Sequence, residues 1–171
     1  MYNSKGRYAL MALFAISAVV CLFYVQYQLA TLAGFLFAFV IWSHFKHSSI
    51  LLASKHFKNG DYERTEKVLA EVHNPDRLAR NRRGYYEFMR ANIALKKEAY
   101  DIAEHHFQIA SRFPLGGKND KAFVLIHLAN LALRKKDKER CTAYLNKAKE
   151  LAVTAKTQDI ISKIEKEANS L

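Results

Sequence analysis

Histidine, cysteine and arginine are the residues here whose types and spacing could do chemistry. His44 and His47 are three apart, which puts two imidazoles on one helix face, as metal ligation would need. His105 and His106 are adjacent and point apart on a helix. No cysteine or acidic residue completes a four-ligand set around either pair, so interfacial and surface histidines are the simpler reading. Cys21 and Cys141 lie in different segments with no motif spacing, which indicates no disulfide framework. Phosphate loop, nucleophile elbow and paired-carboxylate patterns are absent. These residues predict neither an enzyme nor a cofactor nor a metal site.

Arginine is different. Arg77, Arg80, Arg82, Arg83 and Arg90 form a cluster opposed only by Asp76 and Glu87. The 27 basic residues less Lys5 and Arg7 leave 25 against 16 acidic, a net charge of +9 for residues 46–171. Such a surface attracts anions, lipid headgroups or nucleic acid among them. No nucleic-acid motif and no aromatic-basic interleaving accompanies it, so nucleic acid is not an expected partner.

The elements that position these residues divide into two segments. Residues 1–45 hold no acidic residue and only Lys5 and Arg7 as basic ones. Two uncharged runs, 8–25 and 29–45, flank the polar, aromatic Gln26-Tyr27-Gln28. Each is 17 or 18 residues, about 26 Å of helix. The runs predict an N-terminal transmembrane hairpin. A cleaved signal peptide is the competing reading, but no small-x-small cleavage site follows the first run. Lys5 and Arg7 precede the first run and Lys46, Lys55 and Lys58 follow the second. The positive-inside rule then predicts a multi-pass membrane protein with its N-terminus and C-terminal domain both cytoplasmic. Ala30, Gly34 and Ala38, spaced by four, and Ala9, Ala12, Ala15 and Ala18, spaced by three, form small-residue stripes. They pack on each other inside the hairpin, or one docks on another membrane protein.

A period of 38 residues runs through the rest. Ala53, Ala91 and Ala129 align, as do Phe57, Leu95 and Leu133. So do Thr65, Ala103 and Cys141; Leu69, Phe107 and Leu145; and Val72, Ala110 and Ala148. Small residues at fixed points let two helices cross closely, and large ones fill the space between. Cys141 falls on a close-crossing point and reads as a packing residue. Turn and cap signals predict helix pairs at about 48–58 with 62–72, 74–97 with 100–113, and 119–135 with 138–153. The last outgoing helix is expected to be capped by Asn119 or Asp120. A final helix at about 157–169, with Ile160, Ile161 and Ile164 on one side, would close the stack.

The pattern resembles the tetratricopeptide repeat family. Gly60-Asp61-Tyr62-Glu63-Arg64 looks like the family's turn between paired helices. Tyr100-Asp101-Ile102-Ala103 with Phe107, Ala110 and Pro114 is similar to its second helix and exit, and Leu128-Ala129 with Ala132 to its first helix. The resemblance covers roughly 48–153 and gives repeats at about 48–75, 76–114 and 119–153. It departs from the family in its period, longer than the usual 34, and in Thr65 and Cys141 standing for alanine. Glu98 and Lys136 stand where the turn glycine is expected, leaving Gly60 without a later counterpart.

The resemblance implies an all-α fold, an α-solenoid with a capping helix, and a binding scaffold. It places Phe88, Asn92, Leu95, Phe123, Ile126, Asn130 and Leu133 along a partner-binding groove. With apolar Phe88 and Ile126 where some members carry carboxylate-gripping lysines, an apolar or helical partner is expected. Together the segments predict a membrane-anchored interaction scaffold or assembly subunit whose partners are a membrane-associated protein and the lipid bilayer. The alternative is a peripheral protein that contacts anionic lipid through Arg77, Arg80, Arg82 and Arg83.

Overall fold

A computed structural model describes residues 4–47, 49–151 and 154–170, with side-chain surroundings given for these apart from 4, 5, 7 and 44–47. Nine α-helices and no strand are found among the described residues. Residues 1–82 and 83–171 form two compact units.

The first unit opens on a helical hairpin, α1 (Ser4–Phe23) packed on α2 (Tyr27–His47). The turn between them is sharp because Val25 adopts φ 60°, and the Gln26 amide bonds back to the Cys21 carbonyl. The seam is built by Ala30 and Ala33, both buried, with half-buried Phe37 and Val40. Gly34 and Ala38 are exposed, and a Cβ added at Gly34 would meet nothing within 4 Å. Of the two small-residue stripes expected to pack on each other, the one on α2 therefore buries only Ala30, and in the one on α1 Ala15 and Ala18 are half-buried while Ala9 and Ala12 are exposed. The seam runs through positions three and four apart, and Gly34 lies to one side of it.

Among the described residues no helix is long and apolar enough to cross a membrane. The transmembrane hairpin, and the multi-pass placement with both ends cytoplasmic that rested on it, are corrected accordingly. The physical reason lies at the helix ends. Tyr24 and Val25, counted in the first apolar run, are spent on the turn, leaving Tyr8–Phe23, about 24 Å of apolar helix. In α2 the apolar run from Leu29 ends at Trp42, before Ser43 and His44, which is about 21 Å. A spanning helix needs about 20 apolar residues for a hydrocarbon core of roughly 30 Å.

The first unit continues with α3 (Ile50–Lys58) and α4 (Tyr62–Ala70), packed as an antiparallel pair around Ile50, Ala53, Thr65 and Leu69, all fully buried. Asp61 caps α4 by accepting from the Arg64 amide at 3.0 Å. A buried Ser49 hydroxyl donates to Glu71 Oε2 at 2.8 Å, tying the start of α3 to the end of α4. Pro75–Arg77 form a single 3-10 turn, and Leu78 turns extended with its side chain buried. The expected helix from Asn74 therefore begins six residues later, as α5 (Arg80–Lys96).

In the second unit, α7 (Lys118–Arg134) is the central helix, buried on most of its circumference. Around it pack α6 (Tyr100–Arg112), α8 (Lys138–Leu151) and α9 (Ala155–Asn169). Its N-cap is Gly117, and Asp120 accepts back from the Gly117 amide at 3.2 Å, so Asp120 secures the helix start from inside the first turn. α5 runs against the loop before α7 so closely that a Cβ at Gly84 would lie 2.8 Å from the Pro114 carbonyl oxygen. α9 is tied to α7 by the Thr157 hydroxyl, which donates to Asn119 Oδ1 at 3.1 Å.

The 38-residue period is present in the backbone itself. Gly60, Glu98 and Lys136 all take left-handed φ, at 76°, 59° and 57°. The next amide in each case, Asp61, Ala99 or Asp137, bonds to the carbonyl of His56, Ala94 or Ala132, always at 3.0 Å. The left-handed residue's own amide bonds to Phe57, Leu95 or Leu133, at 2.9–3.0 Å. That pair of bonds is the Schellman termination of a helix. The turn of the first pair thus has a counterpart in both later ones, although glycine occupies only the first. The close-crossing residues Ala53, Ala91, Ala129, Thr65, Ala103 and Cys141 are all fully buried. Thr65 is tolerated in that company because its hydroxyl donates to the Asp61 carbonyl at 2.6 Å.

Candidate interaction surfaces

Phe107 of α6 is fully buried and joins three helices. Phe88 of α5 meets its ring edge-on, with centroids 6.1 Å apart, and His127 of α7 stacks on it at 4.8 Å. Burial pushes the His127 imidazole below its ordinary value, because an apolar site disfavours the charged ring. Phe88, Leu95 and Phe123 are half-buried, their inner sides packed against the core. Ile126 and Leu133 lie wholly within it. The Asn92 amide donates to the Phe88 carbonyl at 2.7 Å, one helical turn back, while Asn130 is exposed. Of the expected groove residues, then, Phe88, Asn92, Leu95, Phe123 and Asn130 keep an open side, and Ile126 and Leu133 do not. His127 joins this face, and its position four after Phe123 was the available signal.

The arginine cluster is split by its surroundings. Arg77 and Arg80 are exposed and Arg82 is half-buried. Arg83 is turned inward, its Nε 2.8 Å from Glu87 Oε1, with its guanidinium 5.9 Å from the Phe113 ring centre. Glu87 is itself 2 % exposed and its other oxygen lies 2.5 Å from His106 Nδ1. A buried carboxylate held between an arginine and a histidine thus fastens α5 to α6. The sequence shows Glu87 only as one of two acids opposing the cluster; the Arg83–Glu87 spacing of four was the signal for the pair.

A second ionic cluster ties α6 to the turn between α7 and α8. Glu104 accepts from Lys135 at 2.6 Å and from Arg140 at 3.0 Å. Lys135 also reaches Asp101 at 2.7 Å, and Arg140 reaches Asp137 at 2.6 Å. The Lys135 ammonium lowers the Asp101 carboxyl, chiefly by hydrogen bonding. Arg134 lies over the Tyr100 ring at 3.9 Å. The basic run 134–140 is therefore largely engaged within the fold. His106 faces inward and His105 is exposed; the side chains of His44 and His47 lie outside those described. Burial raises the thiol of Cys141, which is fully enclosed.

The hairpin carries the largest exposed apolar surface. Among the described residues 18 large apolar side chains are exposed, and 16 of them lie between Tyr8 and Trp42. Phe23, at 84 %, and Phe35, at 78 %, are the most open. Surfaces of this kind mark places where another body is meant to pack.

An all-α, helical-repeat-like chain with closed ionic clusters and two open apolar surfaces is what the structure defines. It matches no protein-family model, no curated protein and no solved structure.

Proposed function

We propose that this chain is an interaction scaffold of tetratricopeptide type that binds another protein and performs no catalysis. The observation that carries this reading is the half-open row on α5 and α7. The repeat seals its small residues completely, yet leaves Phe88, Leu95, Phe123 and His127 with one side uncovered beside exposed Asn130. Aromatic side chains held rigidly by a core are the anchors that protein interfaces use. An exposed amide beside them can bond the backbone of an extended or helical segment. The polar groups that could do chemistry, Glu87 and Glu104 with their partners, are occupied in joining helices.

A photo-crosslinking residue at Asn130 tests this in cells. One reproducible protein adduct is expected there, and none from the same probe at exposed Asn146 on α8. Silence at Asn130, or an identical set of adducts at both positions, would overturn the reading. A second reading, peripheral contact with anionic lipid, draws on the exposure of Arg77 and Arg80. Arg83 supports it least, being bound to Glu87. Salt-sensitive binding of the full chain to anionic vesicles, weakened by Arg77→Ala with Arg80→Ala, is the expected outcome on that reading.

A further inference from the structure

We infer that the outer face of the hairpin is a self-association surface, on which a second copy of this chain packs its own hairpin to make a four-helix bundle. Outside the hairpin large apolar side chains are buried or half-buried, and only Leu51 and Ile102 among the described ones are exposed. The hairpin exposes 16, so the excess is local to α1 and α2.

The occupant is constrained by charge. From Tyr8 to Phe45 the hairpin has no charged residue, so what covers it must also present an uncharged face or bury ions without partners. The rest of this chain is strongly basic. A second hairpin is uncharged over the same length and is present wherever the first one is.

Area points the same way. Large side chains bury roughly 150–250 Å² each when aromatic, and those here are more than half open on average. Sixteen of them expose on the order of 1,600 Å². One face, half of that, is about 800 Å² per copy, the size of a standard stable interface per partner.

The shape of α2 suits a two-fold contact. Thr31, Gly34 and Ala38, small and exposed, share one face of α2 by their spacing of three and four, next to the large exposed Phe35 and Phe39, so helix geometry sets a low row beside a high one. A two-fold pairing sets the high row of each copy against the low row of the other. The hairpin itself does not need glycine at position 34, since a Cβ there would touch nothing within 4 Å. A larger side chain at Gly34 therefore obstructs a second copy and leaves the seam of its own hairpin untouched.

Full-length chain carrying Ala38→Cys, in a Cys21→Ala background, is oxidised in intact cells and run without reductant. A covalent species of twice the 19.6 kDa chain mass is expected. Adding Gly34→Leu should cut its yield at least about fivefold with helix content unchanged by circular dichroism. Asn146→Cys in the same background should give none. No dimer from Ala38→Cys, an adduct of another mass, equal dimer from Asn146→Cys, or indifference to Gly34→Leu would each overturn the inference. None of these results bears on the adduct at Asn130, so the two surfaces stand or fall separately.

Discussion

Glu98 and Lys136 give the most exposing perturbation of the repeat. Both are exposed residues held at left-handed φ where the first repeat has Gly60. That conformation costs an ordinary L-residue about 1–2 kcal/mol. Glycine removes the strain but adds about 0.4–1 kcal/mol of unfolded-state freedom, so the net gain is about 0.5–1 kcal/mol. The two sites differ in charge. Glu98 puts a carboxylate at the negative end of α5, so its removal adds a few tenths of a kcal/mol. Lys136 puts an ammonium at the negative end of α7, so its removal takes back a similar amount. Glu98→Gly should stabilise by about 1 kcal/mol and Lys136→Gly by about 0.5 kcal/mol, while Gly60→Ala, at φ 76°, should cost about 1 kcal/mol. For a chain of this length 1 kcal/mol moves Tm by about 2–4 °C. Thermal and urea unfolding of the full chain, with a mild detergent covering the hairpin, would measure all three. If both glycine variants lose about 1 kcal/mol, as glycine inside a helix does, the turns are not equivalent and the repeat is wrong.

Other substitutions probe what joins the helices. Glu87→Ala leaves Arg83 and His106 facing each other without their carboxylate, and should cost about 3 kcal/mol in urea unfolding. Glu87→Gln should cost less. Cys141 is sealed at a helix crossing, so Cys141→Ala should stay within about 1 kcal/mol of the parent and Cys141→Leu should lose about 1–3 kcal/mol by overpacking. Its thiol should react with an aromatic disulfide reagent only after unfolding. His127 is depressed in the folded state relative to its ordinary value of 6.5. The unfolded chain then takes up the proton first, so the stability that neutral His127 contributes is complete above pH 6.5 and is lost as pH falls toward the folded value. His127→Phe keeps the stack on Phe107 and should remove that acid slope from the unfolding profile.

The repeat was legible because its signal is steric. A residue that must be small at a crossing leaves Ala53, Ala91 and Ala129 at one interval whatever surrounds them. The turn was only partly legible: glycine announces a left-handed position, but Glu98 and Lys136 reach it under the pull of two backbone hydrogen bonds. The start of α5 was misplaced because Asn74-Pro75-Asp76 forms a 3-10 turn and buried Leu78 then extends the chain. Which side of a helix faces the core is fixed by packing, and sequence spacing gives only the period. Ile126 and Leu133 therefore sit in the core, where a groove was expected, and Gly34 and Ala38 face outward. Run length alone also overstated the apolar helices, since two residues of the first run form the turn and polar residues end the second.

Amide hydrogen exchange at the three turns tests the repeat most directly. The account predicts that the amides of Asp61, Ala99 and Asp137, each bonded at 3.0 Å to the carbonyl five residues back, are all protected well beyond the exposed loop amides of His73 and Asn74. Protection at Asp61 alone, with Ala99 and Asp137 exchanging as fast as those two loop amides, would contradict it.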